Sequence, residues 1–462
     1  MDSDHWTPRA GPEATTQRGA TSAAGRRRPR ERLLTAMVDT VGERGYAETT
    51  VANVIAAAGA SRRTYYAHFP DRQTCLLSAG EGIATRWLQR TGSAVEEALG
   101  RAEDPVQAFV AALFELALAS PAELRVLTAE LGALKRGGER RALLLMDLGH
   151  TLQQALESDT DCRGGREGEE NPWSRLVPQA MVGAMIRILY ARALHGARVR
   201  RPRRTRLAPL IPGIARWAVS YRSGRVPRPT SALLGPPPVG GRAPGTLSLS
   251  VGASLRHALP RGDGIPSRSF VVHSQRERML DAIANLSASK GYQAVTIPEI
   301  VHEAGVSVQS FYQQFAGRED TLQVAYEVGR RKMLALGERM IVCEAEQDWR
   351  PTAHAAIATL LGFLASEPSF AHLAFVDVPA AGGKLAACAH DGPLAAAELL
   401  KPALARSPSP AMSQIAVEAS ASAMHELCYA RVAGGGARGL ASMADLAAFI
   451  ALQPFAATSR SR

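Results

Sequence analysis

Residues 30–76 and 276–322 align without a gap at an offset of 246, with fifteen identical positions in 47. The shared residues include Arg30/Arg276, Glu31/Glu277, Leu34/Leu280, Gly45/Gly291, Tyr46/Tyr292 and Thr50/Thr296. The series continues through Gly59/Gly305, Ser61/Ser307, Tyr66/Tyr312, Phe69/Phe315, Arg72/Arg318 and Leu76/Leu322. Weaker echoes follow in the same order: SPAELRVLTAEL from Ser120 against EPSFAHLAFVDV from Glu367, and AMIRILYAR (184–192) against AMHELCYAR (423–431). The repeated unit is therefore a whole domain of roughly 200 residues, and each copy must build the same fold. Between the copies, the Pro, Gly and Ser content of SGRVPRPTSALLGPPPVGGRAPGTL marks a linker without a core of its own.

Apolar residues recur at three and four in ERLLTAMVDTVGERG, PQAMVGAMIRILYARALHG and MADLAAFIALQPF, and no stretch sustains the period-two alternation of a strand. The expected fold class is all-α. A hydrophobic share of 46% with 21% charged residues fits a globular chain. No run reaches the ~18 apolar residues of a membrane span, so no membrane partner is expected. The N-terminus reads as a polar tail and basic arm without the apolar core of a secretory signal. Five scattered cysteines, with no CxxC pair, favour a reducing compartment. His425 and Cys428 lie three apart on a helical pattern, too few ligands for zinc, and read as packing.

The formal net charge of +11 points to an anionic partner such as nucleic acid. Ten arginines and no acidic residue fall within 197–228, six of them in 197–206; a solvated connector accounts for that run as well as a phosphate contact does, and it is assigned no role. No nucleophile motif, phosphate loop, metal cluster or paired-carboxylate signature is present, so neither an enzyme nor a cofactor is expected.

The repeated element itself is informative. In the first copy, Leu33, Leu34, Met37, Val38 and Val41 line one side of a helix from Arg30 to Arg44, which Gly45 stops. Thr50 can cap a short helix over Val51–Ala58. In the second copy, Thr296-Ile-Pro-Glu has capping-box spacing. Gly59 then allows a tight turn, Ser61 caps a new helix of Arg62 to His68, and Tyr65 with Phe69 gives that helix its buried side. Two short helices around a glycine turn, the second presenting polar residues, form a helix-turn-helix, whose second helix fits a major groove about 12 Å wide.

The run G-[YF]-x3-T … AG-[VA]-S-x3-[LFY]-Y-x2-F, present in both copies, resembles the DNA-binding signature of the tetracycline-repressor (TetR/AcrR) family of bacterial transcription regulators. The resemblance implies a three-helix, homeodomain-like helix-turn-helix domain followed by an all-helical regulatory and dimerisation domain, here twice. The implied organisation is a disordered tail (1–25), a first DNA-binding domain (26–76) and regulatory domain (77–222), a linker (223–262), then a second DNA-binding domain (263–322) and regulatory domain (323–457). It implies a cytoplasmic, nucleoid-associated protein whose partners are double-stranded operator DNA and a small-molecule inducer, and which acts as a repressor. The competing reading is a DNA-binding protein without small-molecule input, architectural or protein-responsive.

Carried over by position, Arg62 and Arg63 would read base edges, with Tyr66 near bases or phosphates. Thr50, Thr64, His68 and Arg72 would hold phosphates. The matching second set is Val308 and Gln309 for bases, with Thr296, Ser310, Tyr312, Gln314 and Arg318 around them. Residues 26–72 carry nine basic and five acidic residues, while 273–318 carry four of each, so the second head should grip DNA more weakly. The family pairs two identical heads in a homodimer, whereas this chain already holds two. A flexible linker of about 40 residues spans roughly 35 Å, comparable to the ~34–36 Å between half-site centres, so an intrachain pseudo-dimer is within reach. AMIRILYAR and AMHELCYAR, with helices over Leu207–Tyr221 and Met443–Phe455, would form its four-helix interface. The alternative is a homodimer with four heads.

Overall fold

The computed structural model describes residues 29–158 except 133, 171–229 except 197–206 and 223, 268–343, 349–381, isolated positions between 385 and 398, and 414–455. The N-terminal tail, the arginine run 197–206 and most of the linker lie outside the described residues. Every regular element among the described residues is a helix, so the all-α expectation holds.

The first half begins with α1 (Pro29–Arg44), α2 (Val51–Ala58) and α3 (Arg62–His68). The long α4 (Arg72–Gly100) then runs into α5 (Pro105–Ala119) and α6 (Pro121–Arg125), and α6 continues as a π-helical turn, Val126–Glu130. The half closes with α7 (Lys135–Glu157), α8 (Leu176–Gly196) and α9 (Ile211–Val219). The second half repeats the order with α10 (Arg268–Lys290), α11 (Ile297–Ala304), α12 (Val308–Tyr312), α13 (Arg318–Cys343), α14 (Trp349–Ser366) and α15 (Pro368–His372). A second π-helical turn, Leu373–Asp377, follows α15 at the equivalent place, and α16 (Gln414–Ala433) and α17 (Ala444–Leu452) end the described chain. Among the described residues no single helix is long and apolar enough to cross a membrane.

Each head packs around a small apolar centre. Leu33, Met37, Val41, Val54, Tyr65 and Phe69 fill the first, and Met279, Ile283, Val295, Ile300, Phe311 and Phe315 the second. The first head's centre runs on into the regulatory helices, and one continuous core joins the helices of both halves. The second head keeps a cluster of its own, closed by Leu373 and Val378.

The two halves meet through α8, α9, α16 and α17. Trp217 Nε1 donates to Ser420 Oγ at 3.0 Å, and Tyr221 Oη donates to the Ile450 carbonyl at 2.6 Å. Tyr221 also packs edge-on against Phe449, with ring centroids 6.0 Å apart. Buried beneath them, the Glu426 carboxylate bridges Arg141 and Arg187. The repeated segments and last helices thus meet within one chain.

Candidate nucleic-acid interface

Local chemistry positions α2 and α3. Thr50 Oγ1 accepts from the Asn53 N–H at 3.2 Å, and the Asn53 side chain accepts the Thr50 N–H at 2.9 Å, a reciprocal cap. Gly59 ends α2 at φ +58°, a left-handed conformation that a side chain would strain. Ser61 Oγ accepts the Thr64 N–H at 3.0 Å and starts α3. Tyr65 and Phe69 then turn inward and leave Arg62, Arg63, Tyr66 and His68 exposed.

The second head repeats this. Thr296 and Glu299 form the capping box expected from the sequence. Gly305 sits at φ +61°, and Ser307 Oγ accepts the Ser310 N–H at 3.0 Å. Lys290 and two bonds from Thr296 pull the exposed Glu299 carboxyl down to about 2, so this head's lysine is already paired. Val308, Gln309 and Tyr312 are exposed; Tyr66 and Tyr312, at matching positions, keep 56% and 57% of their surface free. An equal exposure of one aromatic in both copies, on helices whose other aromatics are buried, marks a face left open for contact.

Five predicted site residues are placed differently from the rest. Thr64 and Ser310 are half-buried, and each hydroxyl lies 2.9 Å from the N-cap serine hydroxyl. Gln314 follows the end of α12, which is two residues shorter than α3, and its carbonyl accepts from Arg276 at 3.3 Å. Arg72 and Arg318 are tied into the fold. The Arg72 guanidinium stacks on the Tyr46 ring at 4.1 Å and donates to the Thr49 carbonyl. Arg318 stacks on Tyr292 at 4.5 Å and donates to the Val295 carbonyl at 2.6 Å. Both arginines tie the α1–α2 and α10–α11 turns to the next helix, a fold role that their position beyond the recognition helix disguised.

Sequence reasoning missed the joint between each head and its regulatory helices. The Tyr46 N–H donates to Glu130 Oε2 at 3.1 Å, and Glu130 Oε1 accepts from Arg125 Nε at 2.9 Å. In the second half, the Tyr292 N–H donates to Asp377 Oδ1 at 3.1 Å, while Asp377 Oδ2 lies 2.9 Å from His372 Nδ1. Both acids end the π-helical turns. A π turn displaces the residues after it relative to an α-helix, which swings the carboxylate onto the head.

Residues 33–79 and 279–324 each match the family model of bacterial regulatory proteins, tetR family. The chain carries the DNA-binding domain of the tetR family of bacterial regulatory proteins twice, and this makes it a DNA-binding transcriptional regulator. No curated protein matches the chain.

Proposed function

We propose that this regulator reads an asymmetric DNA site, each head of the single chain taking one unlike half. The observation that carries the reading is that two open recognition faces with different side chains belong to regulatory halves that pair within the chain. Arg62 and Arg63 read bases in one half-site, where an arginine can donate two bonds to guanine. Gln309 pairs with adenine in the other, and Val308 meets a thymine methyl. Thr50, Thr64 and His68, with Thr296, Ser310 and Gln314, hold flanking phosphates, and Tyr66 and Tyr312 lie against the backbone or base edges. In vitro selection from a random DNA pool tests this: a two-part site with unlike halves is expected, and a palindrome or a single half-site counts against it.

Regulation by a small molecule, with repression as the output, is favoured over an architectural role by a cavity of about 70 Å³ in the second half. Met333, Leu361, Phe370, Phe375 and Met424 line it, with Tyr326, Arg330 and His425 among the polar groups. A cavity of ~150 Å³ admits benzene, so this one would have to widen around its ligand and shift the packing of α13 and α16. Small apolar acids and amines that raise Tm and release DNA would support the reading; ligands that do neither, across such a set, would favour the architectural alternative.

A further inference from the structure

Arg187 and Glu426 occupy the same position in the two copies of the repeated segment, fourth in AMIRILYAR and fourth in AMHELCYAR. They meet across the interface. Glu426 Oε1 accepts from Arg187 Nε at 3.2 Å and Nη2 at 3.0 Å, and Oε2 accepts from Arg141 Nη2 at 2.9 Å. The Glu426 side chain is 2% exposed and that of Arg141 5%. Burial works against the charged carboxylate, yet the two guanidinium groups hold it below the usual carboxylate range. Gly183 makes the room, since a Cβ there would lie 2.7 Å from Glu426 Cγ. Its counterpart in the second half is Ser422.

A two-fold axis between like halves brings a residue on the axis against its own copy, and the matched positions 187 and 426 meet there. Two second halves would set Glu426 against Glu426 in a dry interior with neither arginine in place. Two first halves would gather Arg187 and Arg141 from both sides with no carboxylate. Breaking a buried ion pair by removing one partner costs far more than the pair contributes, so either pairing is strongly disfavoured. Other contacts obey the same logic. Trp217 finds the Ser420 hydroxyl, whereas the position matching Ser420 in the first half is Met181, which offers indole no comparable acceptor.

We propose that this interface is a lock for unlike halves: the charge pair at 187 and 426 closes the chain on itself and rejects pairing of either half with its own kind. The unit in solution is then one chain with two heads. This rests on the pseudo-dimer described above but not on what the heads read, so its failure is distinguishable from failure to find an asymmetric site.

Light scattering on the full chain is expected to give 49.2 kDa across the micromolar range. The Glu426→Arg chain carries arginine at both positions and the Arg187→Glu chain glutamate at both; neither can satisfy the pair internally. Mixed in equal amounts, they should associate crosswise into a two-chain particle, at least roughly a hundredfold more tightly than either associates alone. The double variant Arg187→Glu/Glu426→Arg, with the charges exchanged, should return to a single-chain particle and recover part of the Tm lost in Glu426→Arg, Arg141 being left without its carboxylate, which keeps the test decisive if that single variant folds poorly. A wild-type mass twice the single chain, a mixture that stays single-chain, or a double variant no better than Glu426→Arg would each overturn the proposal.

Discussion

Replacing Glu130 by alanine removes the carboxylate that fastens the first head to its regulatory helices. Glu130 is 9% exposed, and it accepts from both the Tyr46 N–H and Arg125 Nε. The backbone N–H loses its acceptor on a half-buried turn, and an unsatisfied buried donor costs about 1–3 kcal/mol. Arg125 keeps its bond to the Gly42 carbonyl at 3.2 Å, and its side chain is 25% exposed, so water offsets much of its loss. The sum is about 3 kcal/mol. For a folding unit of ~150–250 residues that corresponds to a fall in Tm of about 6–12 °C. Glu130→Gln keeps an acceptor for Tyr46 but gives up the charge, and should lose about half as much.

Urea unfolding followed by tryptophan fluorescence and by helix content would measure both variants. Since the joint connects head to body, DNA affinity should also fall, and Asp377→Ala should act with the same sign on the second head, where Asp377 holds the Tyr292 N–H. A Glu130→Ala protein within about 1 kcal/mol of wild type would refute the reasoning, because a buried N–H cannot lose its acceptor at so small a cost unless the turn is free to reach water.

Burial, reinforced by Glu367 and Glu277 and opposed by Lys332, pushes the Asp281 carboxyl in α10 up to about 7. The folded state therefore binds this proton more tightly than the unfolded chain, and its contribution to stability is lost as pH rises from about 4 through about 7. Asp281→Asn should flatten Tm against pH in that window and raise Tm at pH 8. Arg63→Ala should cost about 1–3 kcal/mol of specific binding and relax preference in one half-site, and Gln309→Ala should do the same in the other; loss at the same base pairs from both variants would contradict separate reading, as quantitative binding to operator variants can establish. Tyr429 Oη is buried with no hydrogen-bond partner among the described residues, so Tyr429→Phe should stabilise the protein by about 1 kcal/mol in urea unfolding, and a loss would reveal a partner for the hydroxyl.

The heads were legible because each of their turns is written locally. Thr50, Gly59, Ser61 and their copies specify caps and a left-handed residue within a few positions, and Tyr65 and Phe69 declare the buried side. The α2 boundaries at Val51 and Ala58 follow from that chemistry alone. The joint was not legible, because Glu130 and Asp377 act on residues 84 and 85 positions away. Nothing local announces the π turns that aim them. The fold contacts of Arg72 and Arg318 were not legible for the opposite reason: a basic residue just past a recognition helix suits phosphate, and only the tyrosine ring beneath the guanidinium reveals the further role.

The interface lies between these cases. AMIRILYAR and AMHELCYAR stand out as copies, and their one exchange of opposite charge is visible as soon as they are aligned. Its meaning depends on a symmetry that only the packed halves display. In a homodimer, a residue on the axis is bound to face itself, so a buried carboxylate there has no stable partner of its own kind. Joining two copies in one chain lifts that constraint, since each position can then change without its twin. The same freedom acts on the recognition helices, where Arg62-Arg63 and Val308-Gln309 differ while the cap and core residues around them agree. A charge lock at the axis is what makes the second freedom useful. Unlike recognition helices address a single asymmetric site only if unlike halves are the ones that pair; pairing of like halves would return two palindromic readers and lose the composite site.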